Sequence, residues 1–151
     1  MIAQVVAAGA AFVCMEPVTC GVHRWVMHGP GWVLHRSHHQ SRPGERGLEA
    51  NDAYPVLFAG STVAVMALGS RVPALRLLLG VGVGVTAYGA AYAFVHDVII
   101  HRRIRPSLGA SGRLVRLARL RDAHGVHHRF GGAPYGMLWP VVPAERRVAA
   151  A

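Results

Sequence analysis

The sequence predicts an all-α protein, a helical bundle that crosses a membrane about three times and carries further helices at the interface. Three observations lead there. Apolar residues make up 52% of the chain against 15% charged, and mean hydropathy is positive at +0.31, a balance suited to the bilayer rather than to water. Three long apolar runs are separated by breaks rich in arginine, glycine and proline. All ten histidines fall in three groups, none of them inside those runs. With 151 residues there is room for one core, so residues 1–151 are read as a single domain.

The first run, residues 2–22, is apolar apart from Gln4, Glu16, Thr19 and its glycines. About twenty residues at roughly 1.5 Å each cover the hydrocarbon layer of about 30 Å. The run lacks the basic opening of a secretory signal and is read as a retained span. Cys14 and Cys20 lie six residues apart within it, form no CxxC pair, and are read as small membrane-helix residues. Glu16 is the exception: a carboxylate at this depth must face the bundle interior and find a polar partner or a proton. Pro17 beside it is a candidate kink.

Gly29-Pro30-Gly31 breaks the helix after His28, and a polar connection follows to Asp52, with a turn at Arg42-Pro43-Gly44. Residues 53–69 and 74–95 are the second and third apolar runs, joined by a tight turn at Ser70-Arg71-Val72-Pro73. Gly80, Gly82, Gly84 and Gly89 in the third run allow close helix approach in a membrane. From about residue 112 to 129, leucines at 114, 117 and 120 run beside arginines at 113, 116 and 119, the pattern of an interfacial helix. The tail APYGMLWPVV, residues 133–142, is too short to span and is read as dipping into the interface or capping a site.

Parity sets the topology. Two crossings separate the early histidines from His96, so all the groups return to one side. Fourteen of the sixteen basic residues, all of them arginine, lie on that side; Arg71 and Arg76 lie at the opposite turn. The positive-inside rule then puts the histidines at the cytoplasmic face of the cell membrane, with the N-terminus outside. The net charge of +9 is read as a belt facing anionic lipid, because long apolar runs argue against a nucleic-acid partner.

Neutral imidazole is the commonest side-chain ligand for transition metals. His35, His38 and His39 are spaced i, i+3, i+4, and His124, His127 and His128 repeat that spacing, so a helix presents each trio on one face. His23 with His28 and His96 with His101 are i, i+5, roughly 140° apart on a regular helix. They can share a site if the pairs straddle metal ions or the helix unwinds between them. Ten imidazoles exceed what one tetrahedral zinc needs and suit a dinuclear centre with some outer partners. Glu16, Asp52, Asp97 and Asp122 are the carboxylates expected to orient the imidazoles, each with an alternative role as a helix cap, an interhelical hydrogen bond or an arginine partner.

The order HxxxxH, HxxHH, HDxxxH, HxxHH resembles the membrane histidine-box di-iron oxygenases of the fatty acid hydroxylase superfamily, and within it most closely the bacterial β-carotene hydroxylases. The likeness extends to Met15-Glu16, HGPGWVLHRSHH, Glu49-Ala50-Asn51-Asp52, TAYG from Thr86, VHDVIIHRR, AHGVHH and PYGMLWP, and so covers most of the chain. The connection RFGGA after His128 is shorter than the family leads one to expect. The resemblance implies that His23, His28, His35, His38, His39, His96, His101, His124, His127 and His128 hold two irons. It further implies O2 as co-substrate, an electron-transfer partner such as ferredoxin, and a carotenoid β-ring taken from the membrane lipid and hydroxylated at its 3-position. A fatty acyl or sterol hydroxylase would use the same centre. A metal transporter would place its ionisable residues in mid-membrane, and a haem bundle would leave most of the histidines without a role.

Overall fold

The computed structural model describes residues 1–41, 47–103 and 115–147. Every regular element among them is helical. Helix α1 (Ile2–Gly21) runs straight into a π-helical turn, Val22–Met27, and α2 (Trp32–Gln40) follows the Gly-Pro-Gly break. A 3-10 turn at Ala50–Asp52 leads into α3 (Ala53–Arg71), and a second, Pro73–Leu75, leads into α4 (Leu77–Ala93). That helix also widens at its end into a π turn, Phe94–Ile100. Helix α5 (Val115–Phe130) and a short α6 (Ala144–Arg147) complete the chain. The Arg42-Pro43-Gly44 turn, Arg105, Leu114 and Arg113 lie outside the described residues.

Ile2–Met27, Ala50–Arg71 and Leu77–Ile100 are each long and apolar enough to cross a membrane. Their outward faces carry exposed Val5, Val13, Val56, Leu57 and Val83, as lipid-facing helices do. Both helices continue past the ends of the apolar runs, the first through His23 to Met27 and the third through His96 to Ile100.

Helix α4 is the centre of the bundle, packed on both α1 and α3. Its glycines divide the work by face. Added Cβ atoms at Gly80 and Gly84 would meet the backbone of Gln4 and Ala8 in α1, whereas one at Gly82 would meet Met66 in α3. The i, i+4 pair therefore lets the α1 and α4 backbones approach closely enough for dispersion to hold them in lipid. Replacing Gly84 by valine is expected to lower stability by about 1–3 kcal/mol, because Ala8 and Ala11 leave no room. Gly9, with open space around it, should gain about 0.5–1 kcal/mol on change to alanine. Thermal unfolding of the two variants in detergent checks the contrast.

On the histidine side, Val95, Ile100 and Met137 form a small apolar cluster, with Leu117 and Leu120 of α5 packed against it. Leu117 and Leu120 thus turn inward, while Arg119 stays exposed. The tail does cap the site. Glu16, buried in α1, accepts hydrogen bonds from the backbone N–H of Met137 (2.8 Å), Leu138 (3.0 Å) and Trp139 (2.9 Å). It also accepts one from the Tyr88 hydroxyl of α4 at 2.6 Å. One carboxylate joins two spans and the tail.

Candidate metal centre

The π turns answer the i, i+5 spacing. In each, the backbone bond runs from residue i+5 to residue i, and it joins the paired histidines themselves: His28 N–H to the His23 carbonyl (3.0 Å) and His101 N–H to the His96 carbonyl (2.8 Å). The wider turn brings both imidazoles to one side, where a regular α-helix would spread them; such bulges are frequent at functional sites.

Two clusters result. His23, His28, His35, His39 and His127 form one, and His38, His96, His101 and His124 the other. His128 joins the second, its Nε2 lying 2.9 Å from that of His124 and 3.1 Å from that of His38. Each cluster takes one i, i+5 pair from a π turn and the first and last histidines of one HxxHH group. The middle histidine crosses over: His38 of α2 joins the pairs from α4 and α5, and His127 of α5 joins those from α1 and α2. The spacing placed each trio on one helix face; the structure divides it between two clusters.

Two of the close imidazole contacts, His23–His35 and His38–His96, cannot be hydrogen bonds. His23 Nδ1 faces the Tyr135 carbonyl (3.0 Å), His35 Nδ1 the Asn51 Oδ1 (2.7 Å), and His127 Nδ1 the Gly132 carbonyl (2.7 Å). His38 Nδ1 faces Glu49 (3.3 Å) and His96 Nδ1 faces Asp97 (2.9 Å). These partners only accept, so each Nδ1 carries the proton and each Nε2 presents a lone pair. Yet His23 and His35 Nε2 lie 3.1 Å apart, and His38 and His96 Nε2 3.0 Å apart. Protonation does not relieve the conflict. Burial pushes His35 and His127 down to about 4 and His39 and His101 down to about 3. Burial and then the neighbouring imidazoles hold His38 and His124 low as well.

Converging lone pairs of neutral imidazole are the donor set of a metal ion. At a metal–nitrogen bond of about 2.1 Å, ligands at right angles stand about 3.0 Å apart and tetrahedral ones about 3.4 Å. The observed spacing fits ions with more than four ligands. The clusters are compatible with a di-iron centre.

Of the carboxylates expected beside the imidazoles, Asp97 is there. Asp52 pairs with Arg103 through both oxygens at 2.7 and 2.9 Å, one step removed. Glu16 holds the tail, and the tail supplies the Tyr135 carbonyl to His23. For Asp122 the structure gives a different place. It lies about 200° around α5 from His124, exposed and paired with Arg121 at 3.2 Å. Glu49 and Asn51 are the imidazole partners the sequence reading had not singled out for that role. Their signal was present: a polar Glu-Ala-Asn-Asp stretch opening a span. Glu49 and Asp52 form a capping box that holds the turn, and Asn51 N–H is fixed by Ser37 Oγ at 3.1 Å.

A cavity of about 470 Å³ runs from His23, His35, His38, His96 and His124 down between α1, α3 and α4 to Met66. On α3 it is lined by Pro55, Phe58, Ala59, Thr62, Val63 and Met66, one helix face and about 16 Å of length at 1.5 Å per residue. It is an apolar slot that ends at the histidines.

The fatty acid hydroxylase family matches residues 8–143. The chain belongs to the fatty acid hydroxylase family. It is 36% identical over 141 residues to a β-carotene hydroxylase of Pseudescherichia vulneris, covering 88% of this chain and 74% of that one. It is 39% identical over 122 residues to a β-carotene hydroxylase of Pantoea ananas, covering 78% and 64%. Against the chloroplastic β-carotene 3-hydroxylase of Haematococcus lacustris it is 37% identical over 130 residues, 82% of this chain but 39% of that longer one. No solved structure matches. In this family member the connection RFGGA has a structural task, since its Gly132 carbonyl is the partner of His127 Nδ1.

Proposed function

We propose that this chain is a carotenoid β-ring 3-hydroxylase that converts β-carotene to β-cryptoxanthin and then zeaxanthin. In this reading the ten histidines hold two irons, O2 is the co-substrate, and a ferredoxin-like protein supplies electrons. The histidine face lies on the cytoplasmic side of the cell membrane, as the arginine distribution supports. The observation that carries the reading is the apolar slot ending at both clusters, in a chain whose relatives are named β-carotene hydroxylases.

The irons supply the oxidising power to insert one oxygen atom of O2 into an unactivated C–H bond, with two electrons and two protons taking the other atom to water. The protein supplies position. A carotenoid is a long apolar rod dissolved in lipid, so its ring reaches the slot without crossing water. Phe58 and Val63 of α3 and Val85 of α4 give apolar walls that hold the ring and exclude water from the reacting carbon. The carbonyls of Tyr135 and Gly132 and the side chains of Asn51, Glu49 and Asp97 hold the imidazole protons on Nδ1. Every Nε2 they govern is kept free to ligate.

Expression in cells that accumulate β-carotene, followed by pigment chromatography, tests the reading. Zeaxanthin and β-cryptoxanthin are expected; unchanged β-carotene in the presence of folded, iron-loaded protein and a competent donor would overturn it. An acyl chain also fits a slot of this shape, so hydroxylated fatty acids in the same extracts would favour that substrate instead. Filling the slot gives a sharper check. Ala59→Trp is expected to cut hydroxylation at least about tenfold, or about 1.4 kcal/mol of transition-state binding, while leaving the iron content per chain unchanged.

A further inference from the structure

The two clusters are backed by different chemistry. Where the structure shows an Nδ1 partner in the His23 cluster, it is neutral: the Tyr135 carbonyl, the Asn51 amide and the Gly132 carbonyl. In the His38 cluster the partners are carboxylates, Glu49 behind His38 and Asp97 behind His96. Both carboxylates meet at one guanidinium. Arg103 Nη1 lies 3.4 Å from Asp97 Oδ1, its Nε lies 3.7 Å from Glu49 Oε1, and its Nη groups clasp Asp52. Arg103 Nη2 also donates to the Gly47 carbonyl at 2.8 Å.

We propose that the two metal positions are electronically unequal, and that Arg103 is the positioning residue that maintains the inequality by holding Glu49 and Asp97 against His38 and His96. The inference rests on the two-iron reading above. An imidazole that gives its Nδ1 proton to a carboxylate is a stronger donor at Nε2 than one that gives it to an amide or carbonyl. The ion in the His38 cluster is therefore the more electron-rich. Without the guanidinium, Glu49, Asp52 and Asp97 would repel one another and turn away from the rings.

The backbone is arranged for this clamp. Arg102 sits at φ 54°, a left-handed conformation unusual for a side-chain-bearing residue. The turn lets Arg103 N–H close on the Asp97 carbonyl at 2.8 Å. It sends the Arg103 side chain across to the segment that enters α3, so one residue joins the end of the third span to the start of the second.

The test is Mössbauer spectroscopy of the full chain, purified in detergent and loaded with iron-57, with iron per chain counted first. The wild-type chain is expected to hold two irons giving two distinct signals. Arg103→Gln and Glu49→Gln should each move the same one of the two and leave the other in place. Asn51→Asp, which puts a carboxylate behind His35, should move the other. A wild-type chain with two irons and one unresolved signal, or variants that displace both signals equally, overturns the inference alone. Fewer than two irons in the wild type overturns the two-iron reading and the inference with it. If Arg103→Gln does not fold, Glu49→Gln decides the matter, because it leaves the Arg103–Asp52 pair intact.

Discussion

Replacing His38 or His127 by alanine is expected to abolish iron loading and turnover. Each is the histidine that crosses to the cluster built by the other half of the chain, and each is fully buried. His127 Nε2 lies 3.1 Å from that of His28 and from that of His39. His38 Nε2 lies 3.0 Å from that of His96 and 3.1 Å from that of His128. Loss of an outer partner alone costs metal sites about 10–100-fold in affinity or activity, so loss of a crossing ligand should exceed that. Iron per chain in detergent and pigment conversion in cells are the two measurements. Full activity in both variants would contradict their role as ligands.

The second large effect is expected at Glu16. Its carboxylate is buried and holds the backbone of Met137, Leu138 and Trp139 together with the Tyr88 hydroxyl. Glu16→Ala would leave the three backbone donors without a partner and the Tyr88 hydroxyl with Thr19 alone. Buried donors stripped of their acceptor cost about 1–3 kcal/mol each, so a loss of several kcal/mol is expected even if the tail relaxes in part. The tail should detach, and with it the Tyr135 carbonyl that orients His23. A lower unfolding temperature in detergent and early proteolytic cleavage near residues 131–139 would show this. Glu16→Gln keeps an oxygen acceptor and should lose less. A Glu16→Ala chain as stable and protease-resistant as the wild type would remove the carboxylate from this role.

These two effects differ in how far the sequence foretold them. That the histidines act together was legible, because no other residue type is confined to such groups and because their spacings repeat. The three spans were legible too, since crossing lipid demands about twenty apolar residues whatever surrounds them. For Glu16 the sequence allowed only that a carboxylate in a span needs a partner. Its partners lie 72 to 123 residues away, and no local pattern marks them. Asp122 shows the reverse limit. It stands two positions from His124 in sequence, yet helix geometry turns it to the opposite face.

By itself the sequence determined the long apolar helices, their order, the grouping of the ten histidines and the glycines that allow close helix approach. All of these follow from local chemistry, namely transfer of apolar side chains to lipid, helix periodicity and side-chain size. Only the tertiary structure decided how the imidazoles divide. The widening of α1 and α4 into π turns at the histidine pairs, the crossing of His38 and His127, and the backing of one cluster by Glu49 and Asp97 and the other by Tyr135, Asn51 and Gly132 are settled by contacts between distant segments. A single spacing, HxxHH, serves two histidine clusters because neighbouring positions on a helix point about 100° apart, and only the approach of α2 to α5 fixes what each direction meets.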